Sequence, residues 1–202
     1  MHVNDMSWSD HQVTETAWHG DCLTTFGEET KQLEYAWRMG LRQIPYGGHW
    51  PVYDLDGRSV LDIGGGPVSM LLKCINRSES AVADPCPYPE WVVKRYTDNG
   101  IYYLRVKGED VIDYGSGFDE VWIYNCLQHT ENPEKIVRDA RKIAPVLRIF
   151  EWIDIPPHEG HPNELKEADL NEWIGGTGTV EVMTGQNGCV GRAYFGVFSG
   201  QG

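Results

Sequence analysis

Three short clusters of glycine and acid carry the chemistry open to this sequence. The first is Val60-Leu61-Asp62-Ile63-Gly64-Gly65-Gly66-Pro67, an apolar run that stops on three glycines. Glycine lets a backbone turn tightly and come close to a ligand, and the start of a helix offers N–H groups without partners. The second is Asp84-Pro85, about 20 residues further along, where a carboxylate can accept both hydroxyls of a ribose. The third is Gly108-Glu109-Asp110-Val111, which offers acceptors for an adenine amino group beside an apolar wall. Together they describe a site for an adenosine-bearing ligand.

Two ligand classes use such a set. A dinucleotide such as NAD asks for the pattern GxGxxG, and this chain has Ser69 where the third glycine belongs. NAD would also bring a pyrophosphate to the turn, close to the negative charge of Asp62. S-adenosylmethionine (SAM) has no phosphate and carries an ammonium and a sulfonium, which suit Asp62 and a carbonyl-rich glycine turn. Asp84 does not discriminate, since both ligands present a ribose. The residue types favour SAM.

Elements must hold these clusters in place. The first 26 residues read as polar and irregular, although they contain Trp8, His11, Trp18 and His19. A helix follows, with Leu33, Ala36, Trp37, Gly40 and Leu41 on one face and Glu28 and Glu29 in its first turn; Pro45 and Gly47-Gly48 end it. His49 to Leu55 lead into an Asp56-Gly57 turn. From there strands and helices alternate: strands at 59–63, 80–83, 101–106, 121–124 and 146–153, and helical or apolar stretches at 68–75, 89–98 and 133–144. Asn132-Pro133 is a good helix start, Asn capping and Pro in the first turn. A short helix near Asp169 to Ile174 precedes two strands, 179–183 and 191–198, joined through residues 184–188 with no helix between them. Repeated βα units imply a parallel sheet with right-handed crossovers. The terminal pair adds antiparallel strands to this doubly wound α/β domain.

At this level the sequence resembles the class I SAM-dependent methyltransferases, particularly the small-molecule group that includes quinone-biosynthesis methyltransferases. The resemblance rests on VLDIGGGP, on Asp84, on Glu109-Asp110-Val111, on Phe118-Asp119 before the fourth strand, and on Asn125-Cys126-Leu127-Gln128-His129 after it. It covers residues 58–155, about half the chain, and four elements in the right order make it specific. Pro67 departs from many members, which alters the turn and not the cofactor. The resemblance implies a Rossmann-like, mostly parallel seven-stranded sheet with a C-terminal antiparallel hairpin. Residues 46–202 would be the SAM-binding domain, with residues 1–45 as a lid segment and helix. It also implies roles by position. Asp62, Gly64 and Gly66, with Gly65 between them, would hold the methionine part, Asp84 the ribose, and Glu109, Asp110 and Val111 the adenine. Asn125 and Leu127 would form the wall under the sulfonium.

Methyl transfer needs a base only where the acceptor is a weakly acidic O–H or N–H. His129 is the candidate for that work or for an acceptor contact, the plain alternative being a structural loop histidine. His158 and His161 form an HxxH loop placed to join the acceptor pocket. HExxH is absent and no third ligand can be named, so no metal is expected. Trp18, with Trp8, His19 and the His49-Trp50 pair, is a candidate aromatic lid, against ordinary packing of tryptophan. The Leu33–Trp37 stripe reads as core, and Glu164, Glu167 and Glu172 as a solvated face.

Composition narrows the partners. Thirty acids against 17 Lys and Arg give a net charge of −13, which disfavours duplex nucleic acid. Hydrophobic residues at 41% and aromatics at 11% exclude a disordered chain. No run approaches the roughly 20 apolar residues of a membrane span, and Met1 to Asp10 show no signal-peptide pattern. Five widely spaced cysteines without a CxxC read as reduced thiols in the cytoplasm. The expectation is methyl transfer from SAM to a small-molecule or glycan-like acceptor. Its rivals are an NAD-dependent oxidoreductase and a SAM-binding fold that serves as a non-catalytic partner.

Overall fold

The structure, a computed structural model, describes residues 7–22, 26–45, 51–185 and 188–200. The His49-Trp50 pair lies outside the described residues. Its main sheet has seven strands: β3 (Val60–Ile63), β5 (Ser80–Ala83), β6 (Ile101–Leu104), β7 (Glu120–Tyr124), β8 (Val146–Ile153), β9 (Thr179–Thr184) and β10 (Val190–Ser199). They run in the order β6-β5-β3-β7-β8-β10-β9. The five strands from β6 to β8 are parallel, and β10 joins β8 and β9 antiparallel. This is the doubly wound, Rossmann-like sheet with a terminal hairpin that the sequence implied. A small second sheet, β1 (Gln43–Ile44), β2 (Val52–Asp54) and β4 (Cys74–Ile75), was not foreseen, because its strands are two or three residues long.

The central strands are apolar on both sides because both faces are covered. On one face Leu61, Ile63, Val121, Ile123, Leu147 and Ile149 meet α4 (Pro133–Ile143) and α5 (Glu167–Ile174) through Ile136, Val137, Ala140 and Leu170. On the other, Val60, Val82, Trp122 and Phe150 meet α2 (Phe26–Arg38) and α3 (Glu90–Asp98) through Tyr35, Ala36, Val92 and Tyr96. Each such side chain taken out of water contributes about 1.5–3 kcal/mol. As expected, Asn132 caps α4, its Oδ1 accepting from the Lys135 N–H at 3.0 Å.

Three sequence expectations are corrected. Residues 8–19 are a helix, α1 (Trp8–His19), where an irregular segment was expected. Only His11 is buried in it, so it carries no apolar stripe to read. Gln32, Tyr35 and Ala36 of α2 and Met39 just past its end are buried, whereas Leu33 and Trp37 are 38% and 70% exposed. The inward stripe is thus rotated from the one expected, because Gln32 and Tyr35 take inward places that an apolar count passes over. The helix ends at Arg38, before Gly40 at φ +66°. Finally, no α-helix follows the glycine turn. A single 3-10 turn, Met70–Lys73, capped by Ser69, leads into β4.

Candidate active site

The chain leaves β3 for β5 and β6 on one side and returns to β7 on the other, so strand order reverses at β3. Ligands in such sheets bind at the carboxyl ends of the strands beside that switch point. A cavity of about 870 Å³ opens there, floored by the ends of β3, β5 and β7 and covered by α1 and part of α2.

The glycine turn forms its floor. Gly64 and Gly66 have φ +74° and +66°, which only glycine adopts without strain. A Cβ on Gly64 would stand 2.5 Å from the Cys126 Cβ, and one on Gly65 would stand 2.6 Å from Asp62 Oδ2. At Gly66 nothing comes closer than 3.9 Å, so this residue faces open cavity. The Gly66 N–H donates to Asp84 Oδ2 at 3.0 Å, and the Cys86 N–H donates to Asp84 Oδ1 at 2.9 Å. Burial pushes the Asp84 carboxyl above its usual range, and those two N–H groups oppose the shift.

Asp62 lies under the turn and off the cavity wall. It is fully buried, and its Oδ2 accepts from Tyr124 Oη at 2.6 Å and from Ser69 Oγ. Burial raises its pKa to about 7, against those two hydrogen bonds. The same side chains shape the turn: Met70 N–H donates to Tyr124 Oη at 3.1 Å, Ser69 N–H to Tyr96 Oη at 2.8 Å, and Tyr96 Oη to the Gly66 carbonyl at 2.7 Å. Ser69, the residue that breaks the dinucleotide pattern, therefore locks the turn to Asp62.

Glu109 lines the cavity, and its Oε1 accepts the N–H groups of Glu131 and Asn132 at 2.9 Å each, which anchors the start of α4. Asp110 is exposed, while Val111 and Leu127 are buried in the core, and none of the three lines the cavity. Asn125 does, at φ +51°, a conformation that asparagine tolerates. Behind it Glu151 is fully buried. Its Oε1 accepts from the Cys126 and Leu127 N–H groups at 3.0 and 3.1 Å, Oε2 has no partner, and burial raises its pKa to about 8.

His129, His158, His161 and Trp18 all reach the cavity wall, Trp18 with 72% of its surface exposed. The His129 ring is 4.4 Å from that of His161, which is 4.2 Å from that of His158. Burial, then the neighbouring imidazoles of His129 and His158, push His161 down to about 3, so it is neutral. Among the described residues no group of three or more His, Cys, Asp or Glu is placed to hold a metal ion.

The residue that sequence reasoning missed is Glu15. It stands between His19 Nε2, 3.0 Å from Oε1, and His129 Nδ1, 3.4 Å from Oε2. A signal for it existed: His11, Glu15 and His19 recur every four residues, one face of a helix, but the face is polar.

No family model and no curated protein matches the chain. Solved structures do match. One is the 1,6-didemethyltoxoflavin-N1-methyltransferase of Burkholderia thailandensis, crystallised with its substrate and S-adenosylhomocysteine. It has TM-score 0.61 and 13% identity, over 96% of this chain and 85% of that one. Magnesium protoporphyrin IX methyltransferase of Synechocystis PCC 6803, with bound SAM, gives 0.57 and 16%, over 94% and 98%. The cyclase SpnF gives 0.63 and 12%, over 96% and 94%. A fold shared with a cyclase does not by itself fix the reaction. What the likenesses establish is the architecture: this chain has the Rossmann-like fold of the class I SAM-dependent methyltransferases.

Proposed function

We propose that the chain is a SAM-dependent methyltransferase acting on a small-molecule acceptor. The observation that carries this reading is electrostatic. The Gly66 N–H, which a dinucleotide site would offer to a pyrophosphate, already donates to the buried Asp84 carboxyl. Only a four-residue 3-10 turn follows, so there is no helix N-terminus to attract phosphate. A cationic ligand with a ribose suits such a floor, and an anionic dinucleotide does not.

In this reading Gly64, Gly65 and Gly66 receive the methionine part, Asp84 the ribose, Glu109 the adenine and Asn125 the sulfonium side. Asp62, Val111 and Leu127 act from behind the wall, and Asp110 from the exposed side of the segment that carries Glu109. SAM, when bound, supplies a methyl group already activated by its sulfonium, so positioning carries much of the rate. Trp8, Trp18, Tyr35, Trp152 and Met183 give the remaining wall an apolar character that suits an organic acceptor. Residues 1–45 serve as its lid, α1 bringing Trp18 and His19 to the wall, and His158 and His161 border the acceptor. Nucleic acid is not the acceptor, given the net charge of −13. A reducing, cytoplasmic setting belongs to the same reading, since the five cysteines are all free and four are buried. No helix among the described residues is long and apolar enough to cross a membrane.

Parallel calorimetric titrations with SAM, S-adenosylhomocysteine and NAD test the proposal. Micromolar binding of the two adenosyl ligands alone is expected. Binding of NAD alone overturns it, and silence from all three leaves a fold without its cofactor.

A further inference from the structure

We propose that Glu15, on α1, is a positioning residue for His129: its carboxylate bridges His19 and His129 and keeps His129 as the Nδ1–H tautomer, with Nε2 free to take a proton. The inference rests on the methyltransferase reading and narrows its acceptor to one whose reacting oxygen or nitrogen still carries a proton.

The tautomer follows from the partners. His129 Nδ1 lies 2.6 Å from the Gly160 carbonyl oxygen and 3.4 Å from Glu15 Oε2. Both oxygens can only accept, so Nδ1 carries the hydrogen. On the other side Nε2 stands 3.4 Å from the Gln128 amide nitrogen, which can only donate. All three contacts agree. His19 is the mirror case: its Nε2 donates to Glu15 Oε1 at 3.0 Å. One carboxylate thus serves two imidazoles, one through each oxygen. Burial works against the charge of Glu15, but the His19 hydrogen bond and the nearby His129 outweigh it and hold its pKa at about 2.

Glu15 also belongs to a clasp. Across from it, the Gly160 N–H donates to His11 Nδ1 at 3.2 Å, Thr14 Oγ1 donates to Glu159 at 3.4 Å, and Gln12 Nε2 donates to the His129 carbonyl at 3.5 Å. The loop that supplies the Gly160 acceptor is therefore held by the same helix that supplies Glu15, and the base is complete only with α1 seated. In the transfer, a bond forms between the acceptor atom and the methyl carbon while the carbon–sulfur bond breaks. The acceptor's proton passes to His129 Nε2 and from there to solvent. The negative charge of Glu15 offsets the imidazolium in between.

The test needs no acceptor. Long-range proton–nitrogen spectra of the full chain, labelled with 15N-histidine, are recorded for wild type, Glu15→Gln and Glu15→Asp, with S-adenosylhomocysteine titrated alongside. The wild type is expected to show His129 as Nδ1–H and His19 as Nε2–H. In Glu15→Gln the separation between the two ring nitrogens of His129 narrows as tautomers mix, and Glu15→Asp restores part of it. Affinity for S-adenosylhomocysteine is read on the wild type, because Glu15 lines the same cavity as the glycine turn and its charge is felt at Asp84. A wild-type His129 protonated on Nε2, or an unchanged spectrum in Glu15→Gln, overturns the proposal. Absence of S-adenosylhomocysteine binding beside the expected spectra instead counts against the cofactor reading, so the two failures are told apart.

Discussion

Asp84 has two tasks at the residue scale, and its environment shows how they coexist. Its oxygens each accept one backbone N–H, which fixes the carboxylate beside the glycine turn and leaves further lone pairs for a ligand. Removing it takes away a charged acceptor and strands two N–H donors. A hydrogen bond to a charged group is worth about 1.5–3 kcal/mol. Asp84→Ala is therefore expected to weaken S-adenosylhomocysteine binding by roughly 10- to 100-fold in a calorimetric titration. Unchanged affinity removes Asp84 from the ribose site. Asp62 shows the opposite case. Its type and place suggested a contact with the cofactor cation, yet the side chain points into the sheet face that Tyr124 and Ser69 close. A residue's neighbours in sequence give its distance from the turn, and only the strand's orientation gives the face it occupies.

At the scale of elements, α2 is joined to the sheet by a buried ion pair. Arg148 on β8 meets Glu120 on β7 through Nε at 2.6 Å and Nη2 at 3.0 Å, and its Nη1 donates to the Met39 carbonyl at 2.6 Å, just past the end of α2. Trp122 Nε1 adds a fourth bond, to Glu120 Oε2 at 2.8 Å. Breaking a buried pair by removing one partner leaves an uncompensated charge and costs about 3–5 kcal/mol. Glu120 keeps Arg58 as a second cation, so Arg148→Met is expected to lose less than that, about 2–3 kcal/mol in urea unfolding, with Glu120→Gln partly relieving it in the double variant. A loss under 1 kcal/mol would show that the ion pair does not anchor α2. None of this was legible in the sequence, where Glu120 follows Asp119 at the head of one apolar run and Arg148 is a single charge inside another. The runs themselves were legible: β3, β5, β7 and β8 were bounded to within a residue or two, since strands covered on both faces need apolar residues throughout. The helix α4 was equally plain, with its cap and its stripe in register. By contrast α1 escaped because its inward face is made of His, Gln and Glu.

The molecule as a whole carries two buried acids whose titration sets a pH signature. Asp62 and Glu151 have pKa values raised to about 7 and about 8, against roughly 4 in an unfolded chain. Between those limits the folded state holds more protons than the unfolded one, so stability falls as pH rises through that window. Glu15, held at about 2, works in the other direction: its contribution is present above the usual glutamate pKa and lost as pH falls toward 2. Thermal unfolding from pH 5 to pH 8 is expected to show a declining Tm, and the double variant Asp62→Asn, Glu151→Gln a flatter profile. Equal slopes in both proteins would mean that neither acid is protonated in the fold. By itself the sequence determined the seven main strands in order along the chain, the doubly wound sheet and the glycine turn with its acids in step. These are written in local periodicity and in short-range spacing, which the chain carries whatever it folds against. The tertiary structure alone decided that Asp62 faces inward, that Ser69 starts a 3-10 turn in place of a helix, and that Glu15 comes to His129. Such contacts join segments far apart along the chain, and a polar side chain acquires its partner only when packing brings that partner within hydrogen-bond reach.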